Sequence, residues 1–362
     1  MMLKKKITNL VSASMLIFIL LFTSTVYVYA DTPLIGGKWP TGLIGYSNDG
    51  TNSYYQNVWS TAASNWNNST HVALGTSSST AFHCSNTYNS GVGWDGITYY
   101  SIDSSGYFTA VNAYVNTYYT GQDRYTDYIV NGISTHEMGH SIGLGHNSST
   151  SSVMYPYTFY SDGSLARTYN TPQSPDINTI NSIYGPIIAG SSTSSSLGEA
   201  NMVIKEKGNP KYDKFIVADP TWAIKYVTTN DMAKAADLVV EGQVIKEHGT
   251  KFATKGDYKN YHLDSDLKID KVLKGDSAIT NNQITVSQLG GQDDEVQILS
   301  KDVTPLKKNN KVILFLKKGP ANSYYLINED ESIFLKDETS GNYKNLNSDI
   351  SKENLLKKIS VK

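Results

Sequence analysis

His136, Glu137, His140, Gly143 and His146, followed by Met154, constrain this chain more than any other stretch. Residues four apart lie one turn apart on the same face of a helix, so His136 and His140 can each offer a ring nitrogen to one ion. Were the helix to run on, His146 would stand roughly 15 Å along the axis from His136 at 1.5 Å per residue. The helix therefore has to stop. Gly143 is placed for that, since glycine takes the left-handed conformation at a helix end and lets the chain turn back until His146 closes the site. Three imidazoles leave the fourth position of a tetrahedral zinc open to water, and the neighbouring carboxylate of Glu137 completes a hydrolytic centre. An ordinary histidine-bearing helix does not account for six placed residues. A closed structural zinc site usually has four protein ligands, and only three are visible here.

H-E-x-x-H-x-x-G-x-x-H followed by a methionine turn is the metzincin signature, and every fixed place is filled. Ser-Val-Met-Tyr-Pro at Ser152 to Pro156 resembles the matrixin branch, and the resemblance covers about Lys38 to Gly185. It implies a secreted zinc endopeptidase with His136, His140 and His146 as metal ligands, Glu137 as catalytic base and Met154 as a hydrophobic floor under the ligands. The fold class it implies is α+β: a metzincin-like catalytic domain, with a twisted mixed sheet, two long helices and a C-terminal helix. An edge strand near Gly96 to Ile102 would hold an extended substrate by main-chain pairing.

There are departures from the family pattern. Asn147 stands where animal matrixins have serine, and YFTAVNAYV replaces the strand that carries their second zinc. His71 and His83 lack carboxylates at a family spacing and read as surface or turn residues. Calcium is common in the family, and Asp95, Asp103, Asp123 and Asp127 are candidate oxygen ligands. Cys84, the single cysteine, lies inside the catalytic region and reads as a small buried hydrophobe. No disulfide and no pro-segment cysteine latch is expected. Tyr155 and Tyr157 read as pocket-lining residues rather than ligands, because the position two after Met154 is Pro156.

The chain opens with a targeting segment over residues 1–30: Lys4 to Lys6, then an uncharged run to Ala30 with a small-residue cleavage site. An uncleaved membrane anchor is the competing reading, and export follows from either. The residues beyond it suit two domains. From Asp31 to Gly190 three basic residues face nine acidic ones, a balance of −6, whereas Ser191 onward carries 25 basic and 24 acidic residues. No basic patch suits nucleic acid. The expected domains are a peptidase at 31–188, a serine-rich linker at 189–200 and an accessory region at 201–362.

Within the first domain, apolar residues at 55, 58, 59, 62, 63 and 66 predict a helix over Tyr54 to Trp66 capped by Ser53. The active-site helix is expected from Asp127 to Gly143, and a third helix at 174–185, capped by Ser174 with Pro175 at its first position and ended by Gly185. The accessory region alternates short strands with two short helices, which predicts a small, mainly β barrel with a resemblance to OB-type barrels. Such a domain could regulate or target the enzyme, or simply bind. The functional classes to separate are an endopeptidase acting on protein or peptide substrates and a non-catalytic surface or adhesion protein on the same scaffold. The presence of Glu137 favours the first.

Overall fold

The computed structural model describes residues 31–186, 214–250, 258–279, 282–301, 303–320, 323–346 and 348–359. The expected targeting segment 1–30 and the expected linker 189–200 lie outside the described residues.

Alternating apolar side chains build a mixed sheet from β1 (Leu43–Asn48), β2 (Ala73–Thr76), β3 (Phe82–Thr87), β4 (Trp94–Ile102) and β5 (Phe108–Asn116). β3 pairs parallel with β1 and β5, and β4 runs antiparallel to β5. Helix α1 (Ser53–Ser69) buries Val58, Trp59, Ala62, Ala63 and Trp66 against this sheet and against α2 (Asp127–Ser141). The apolar periodicity located α1 correctly. Its cap is Asn52 rather than Ser53, with the Asn52 side chain accepting from Tyr55 N. α2 ends at Ser141, two residues short of the expected Gly143. β6 (Tyr157–Tyr160) follows the methionine turn, and α3 (Ser174–Tyr184) closes this part of the chain. Its N-cap is Gln173, because the Asp176 carboxylate reaches back to accept from Gln173 N at 3.0 Å, and Ser174 is already helical. Cys84 is buried in the core, and His83 is half-exposed beside Asp49.

β7 (Lys214–Lys225) comes from the accessory half and adds to the catalytic sheet, antiparallel to β4. The accessory region continues through α4 (Thr229–Ala235), β8 (Leu238–Glu247), β9 (His262–Lys274), β10 (Gln283–Leu289), β11 (Gly291–Gln292) and β12 (Val296–Ser300). It then runs through β13 (Lys311–Lys318), β14 (Tyr324–Leu326), β15 (Ile333–Lys336), β16 (Tyr343–Asn345), β17 (Ser348–Ile350) and α5 (Lys352–Ile359). β14 pairs parallel with β10 and antiparallel with β13, so β8, β9, β10, β14 and β13 close on themselves as a five-stranded circuit. This is the small barrel expected of that half, and its interior is filled by Val240, Val244, Leu267, Ile269, Val286, Val312 and Leu314. The first sheet reads β11-β12-β7-β4-β5-β3-β1-β2, with β6 joined to β7. The predicted edge at Gly96–Ile102 lies within β4, which has β5 on one side and β7 on the other.

Candidate metal and catalytic centre

Helix α2 places His136 and His140 one turn apart, and the chain then reverses. Gly143 takes φ +115°, and Leu144 N returns to Gly139 O at 3.0 Å. The open left-handed region is required here, since a side chain at Gly143 would also press on Gly37 O. The segment Thr32–Ile35 fixes the reversal: Ile35 N donates to Gly143 O and Gly145 N donates to Pro33 O. Trp39 Nε1 donates to Ser141 O, and Tyr184 OH to Ile142 O, so the carbonyls at the helix end are satisfied by side chains from distant elements.

The three imidazoles converge. Ring centroids lie 4.6 to 5.3 Å apart, and one nitrogen from each falls within 4.8 Å of the others. His136 Nδ1 lies 2.8 Å from Val153 O and His140 Nδ1 lies 2.7 Å from Leu144 O. A carbonyl only accepts, so each Nδ1 carries the proton and each Nε2 keeps a lone pair. The Nε2 atoms of His136, His140 and His146 are all buried without a hydrogen-bond partner. Three buried lone pairs aimed at one point fit a divalent cation of zinc type and would be costly without one. Burial keeps them neutral, helped by neighbouring imidazoles at His136 and His140 and by the Lys301 and Arg167 charges at His146: His136 falls well below its ordinary value, His140 to about 3 and His146 to about 4. Among the described residues this is the only group of three or more such side chains. Asp95, Asp103, Asp123 and Asp127 are not gathered with one another: Asp95 is buried beside Tyr125, Asp103 caps a turn, and Asp127 accepts from Tyr54.

Glu137 faces the same space and is fully buried. Its Oε2 accepts from Thr98 Oγ1 at 2.7 Å and its Oε1 from Thr221 Oγ1 at 2.5 Å. Burial pushes the carboxyl up to about 8, opposed by the two hydroxyls and by the Arg167 charge. Gly96 makes room for it, because a Cβ there would stand 2.5 Å from Oε1. Met154 is fully buried against α2, where a Cβ on Gly139 would collide with its Sδ and stand 2.9 Å from Trp66 Cζ2. The packing accounts for the glycine inside the histidine repeat.

Two supporting groups carried no recognisable pattern. Arg167 is buried, and it donates to Tyr155 O at 3.0 Å and Thr158 Oγ1 at 3.2 Å. Its charge faces Asp95, whose carboxyl is raised to about 6 by burial despite that partner. The only available signal was one of two arginines in a half with three basic residues. Asp176, at the start of α3, accepts from Thr32 Oγ1, Ser152 Oγ, Val153 N and Gln173 N, tying the methionine turn to the helix and to the segment after residue 31. Replacing Asp176 with alanine strands the buried Val153 N–H, the half-buried Gln173 N–H and two buried hydroxyls, each fully buried group costing about 1–3 kcal/mol. A loss of at least ~3 kcal/mol is expected in urea unfolding, whereas an unchanged midpoint would show that water replaces the carboxylate. Tyr157 lines a small cavity with His146 and donates to Glu331, whereas the buried Tyr155 accepts from Lys225 Nζ.

Residues 46–185 match the family profile described as Matrixin. The Bos taurus interstitial collagenase is 40% identical over 63 residues, which is 17% of this chain and 12% of that protein. Homo sapiens matrix metalloproteinase-26 is 43% identical over 53 residues, 15% of this chain and 19% of that protein. The chain thus spans less than a fifth of the length of either relative. A solved structure described as that of myroilysin covers 42% of this chain and 97% of its own, at 16% identity and a TM-score of 0.29.

Proposed function

We propose that this matrixin-like metalloprotease domain, residues 46–185, makes the chain a zinc-dependent endopeptidase that is exported and cleaves extended segments of extracellular proteins. The observation that carries the reading is the convergence of three unpartnered Nε2 atoms beside a buried carboxylate that is not one of their number. Export is supported by the basic, then apolar, segment over residues 1–30.

His136, His140 and His146 would hold the ion through Nε2, with Nδ1 of the first two locked by Val153 O and Leu144 O. Zinc bound there supplies Lewis-acid chemistry, acidifying water and polarising the peptide carbonyl. Glu137 supplies the proton transfers: an Oε atom takes the proton from attacking water and returns it to the departing amine. Thr98 orients that carboxylate from β4. The backbone of β4 aligns an extended peptide in front of Glu137 by strand pairing, and Tyr157 and the β6 backbone form the opposite wall.

The test is casein hydrolysis by the purified chain. It should be abolished by a chelator and restored by zinc; hydrolysis that persists after the metal is stripped sinks the reading.

A further inference from the structure

The strip of backbone where a substrate would lie is filled by β7. On one edge β4 pairs with Val217–Trp222. On the other, β12 covers Lys214–Ala218 and β6 covers Trp222–Lys225, leaving the middle of that edge without a strand. The middle is Asp219, Pro220 and Thr221, and these three meet the catalytic groups. Thr221 Oγ1 donates to Glu137 Oε1, the Pro220 backbone is hydrogen-bonded to His146, and Asp219 Oδ1 lies 4.0 Å from His146 Nδ1. Asp219 Oδ2 accepts from Tyr100 OH and from Lys301 Nζ, both at 3.3 Å, so its buried charge is compensated from both sides of the cleft. The residual cavity beside His146 is only about 80 Å³, far below the ~300 Å³ at which small-ligand pockets begin.

We infer that β7 is an intramolecular occupant of the substrate cleft, and that the accessory region holds the peptidase latent until residues 214–225 are withdrawn. The inference rests on the peptidase reading of the same site. Pairing on both edges is what an extended peptide needs for recognition by strand addition, and an occupant on the same chain competes at the high effective concentration of an intramolecular contact. Pro220, opposite Ile97, turns its backbone to His146 on the open edge, where no neighbouring strand awaits an N–H, so the β4 ladder is kept. The outer face of β7 is anchored in the accessory region, where Ile216, Ala218 and Trp222 pack with Tyr261, Leu289, Val296 and Ile298. With β7 in place Glu137 has no exposed surface, and water cannot reach it.

The experiment compares the zinc-loaded full chain with its Asp219→Ala, Thr221→Ala double variant on quenched fluorescent casein. The double variant should be faster by at least about tenfold, as for a site open less than a tenth of the time in the parent. Equal, measurable rates at equal zinc content overturn the inference. A second arm needs no substitution: a saturating peptide hydroxamate added to the unaltered, zinc-loaded chain should raise deuterium uptake across 214–225 and leave β9 in the barrel unchanged. Unchanged uptake across 214–225 with the hydroxamate bound overturns the inference, including where the double variant loses its zinc. Zinc held by both forms with hydrolysis by neither is the failure of the peptidase reading alone, and the exchange arm then still decides whether β7 is a displaceable occupant.

Discussion

Replacing Glu137 with alanine is expected to lower casein or peptide hydrolysis by about 10²–10⁴-fold, the usual worth of a general base, while leaving one zinc per chain. Glu137 is not one of the converging nitrogen ligands, so the metal site keeps its donors. The fold should survive as well. Thr98 Oγ1, which loses Oε2 as an acceptor, also lies 3.0 Å from the Glu137 carbonyl, and the backbone of α2 is unaltered. The loss should fall on kcat rather than KM, because the carboxylate acts on the proton in flight and not on the resting peptide. Measurement of both constants alongside zinc content checks it; a loss confined to KM would assign Glu137 to binding.

Replacing His140 with alanine is expected to remove the metal rather than the chemistry alone. The imidazole is fully buried, its Nδ1 is committed to Leu144 O at the chain reversal, and its Nε2 is one of only three donors. Loss of an outer-shell partner typically costs ~10–100-fold in metal affinity, and loss of a donor should exceed that. Stability should follow. A ligand present at a thousandfold over its dissociation constant stabilises by about 4 kcal/mol, so zinc should raise the melting temperature of the parent and have little effect on the variant. Thermal melts with and without zinc report this without reference to activity, and an equal zinc-induced rise in both proteins would remove His140 from the ligand set.

The metal centre was legible in sequence because its parts are local: a helical repeat, a glycine to end it and a methionine close behind. The apolar faces of α1 and α3 were equally plain. Their caps were not, since Asn52 and Gln173 act through contacts that neighbouring serines could have made as well. The contributions that escaped are those made across long sequence separations. Arg167 reaches the site by packing under Tyr155 and Thr158, and Asp176 by collecting donors from three segments. β7 escaped for a physical reason of its own. Proline in the middle of a run argues against a central strand, and Pro220 interrupts FIVAD and TWAIK. It is tolerated because that stretch of one edge faces imidazoles and a carboxylate rather than another strand. Closure of the barrel was likewise beyond periodicity, since it depends on β14 bridging β10 and β13.

The most direct test is a zinc titration of the metal-stripped full chain, with the Asp219→Ala, Thr221→Ala form alongside it, followed by casein hydrolysis. Hydrolysis absent at the start, rising linearly and breaking at one equivalent of zinc is the expected result for one ion held by His136, His140 and His146. Hydrolysis by the metal-free chain, or none at any zinc level in either form, would contradict it.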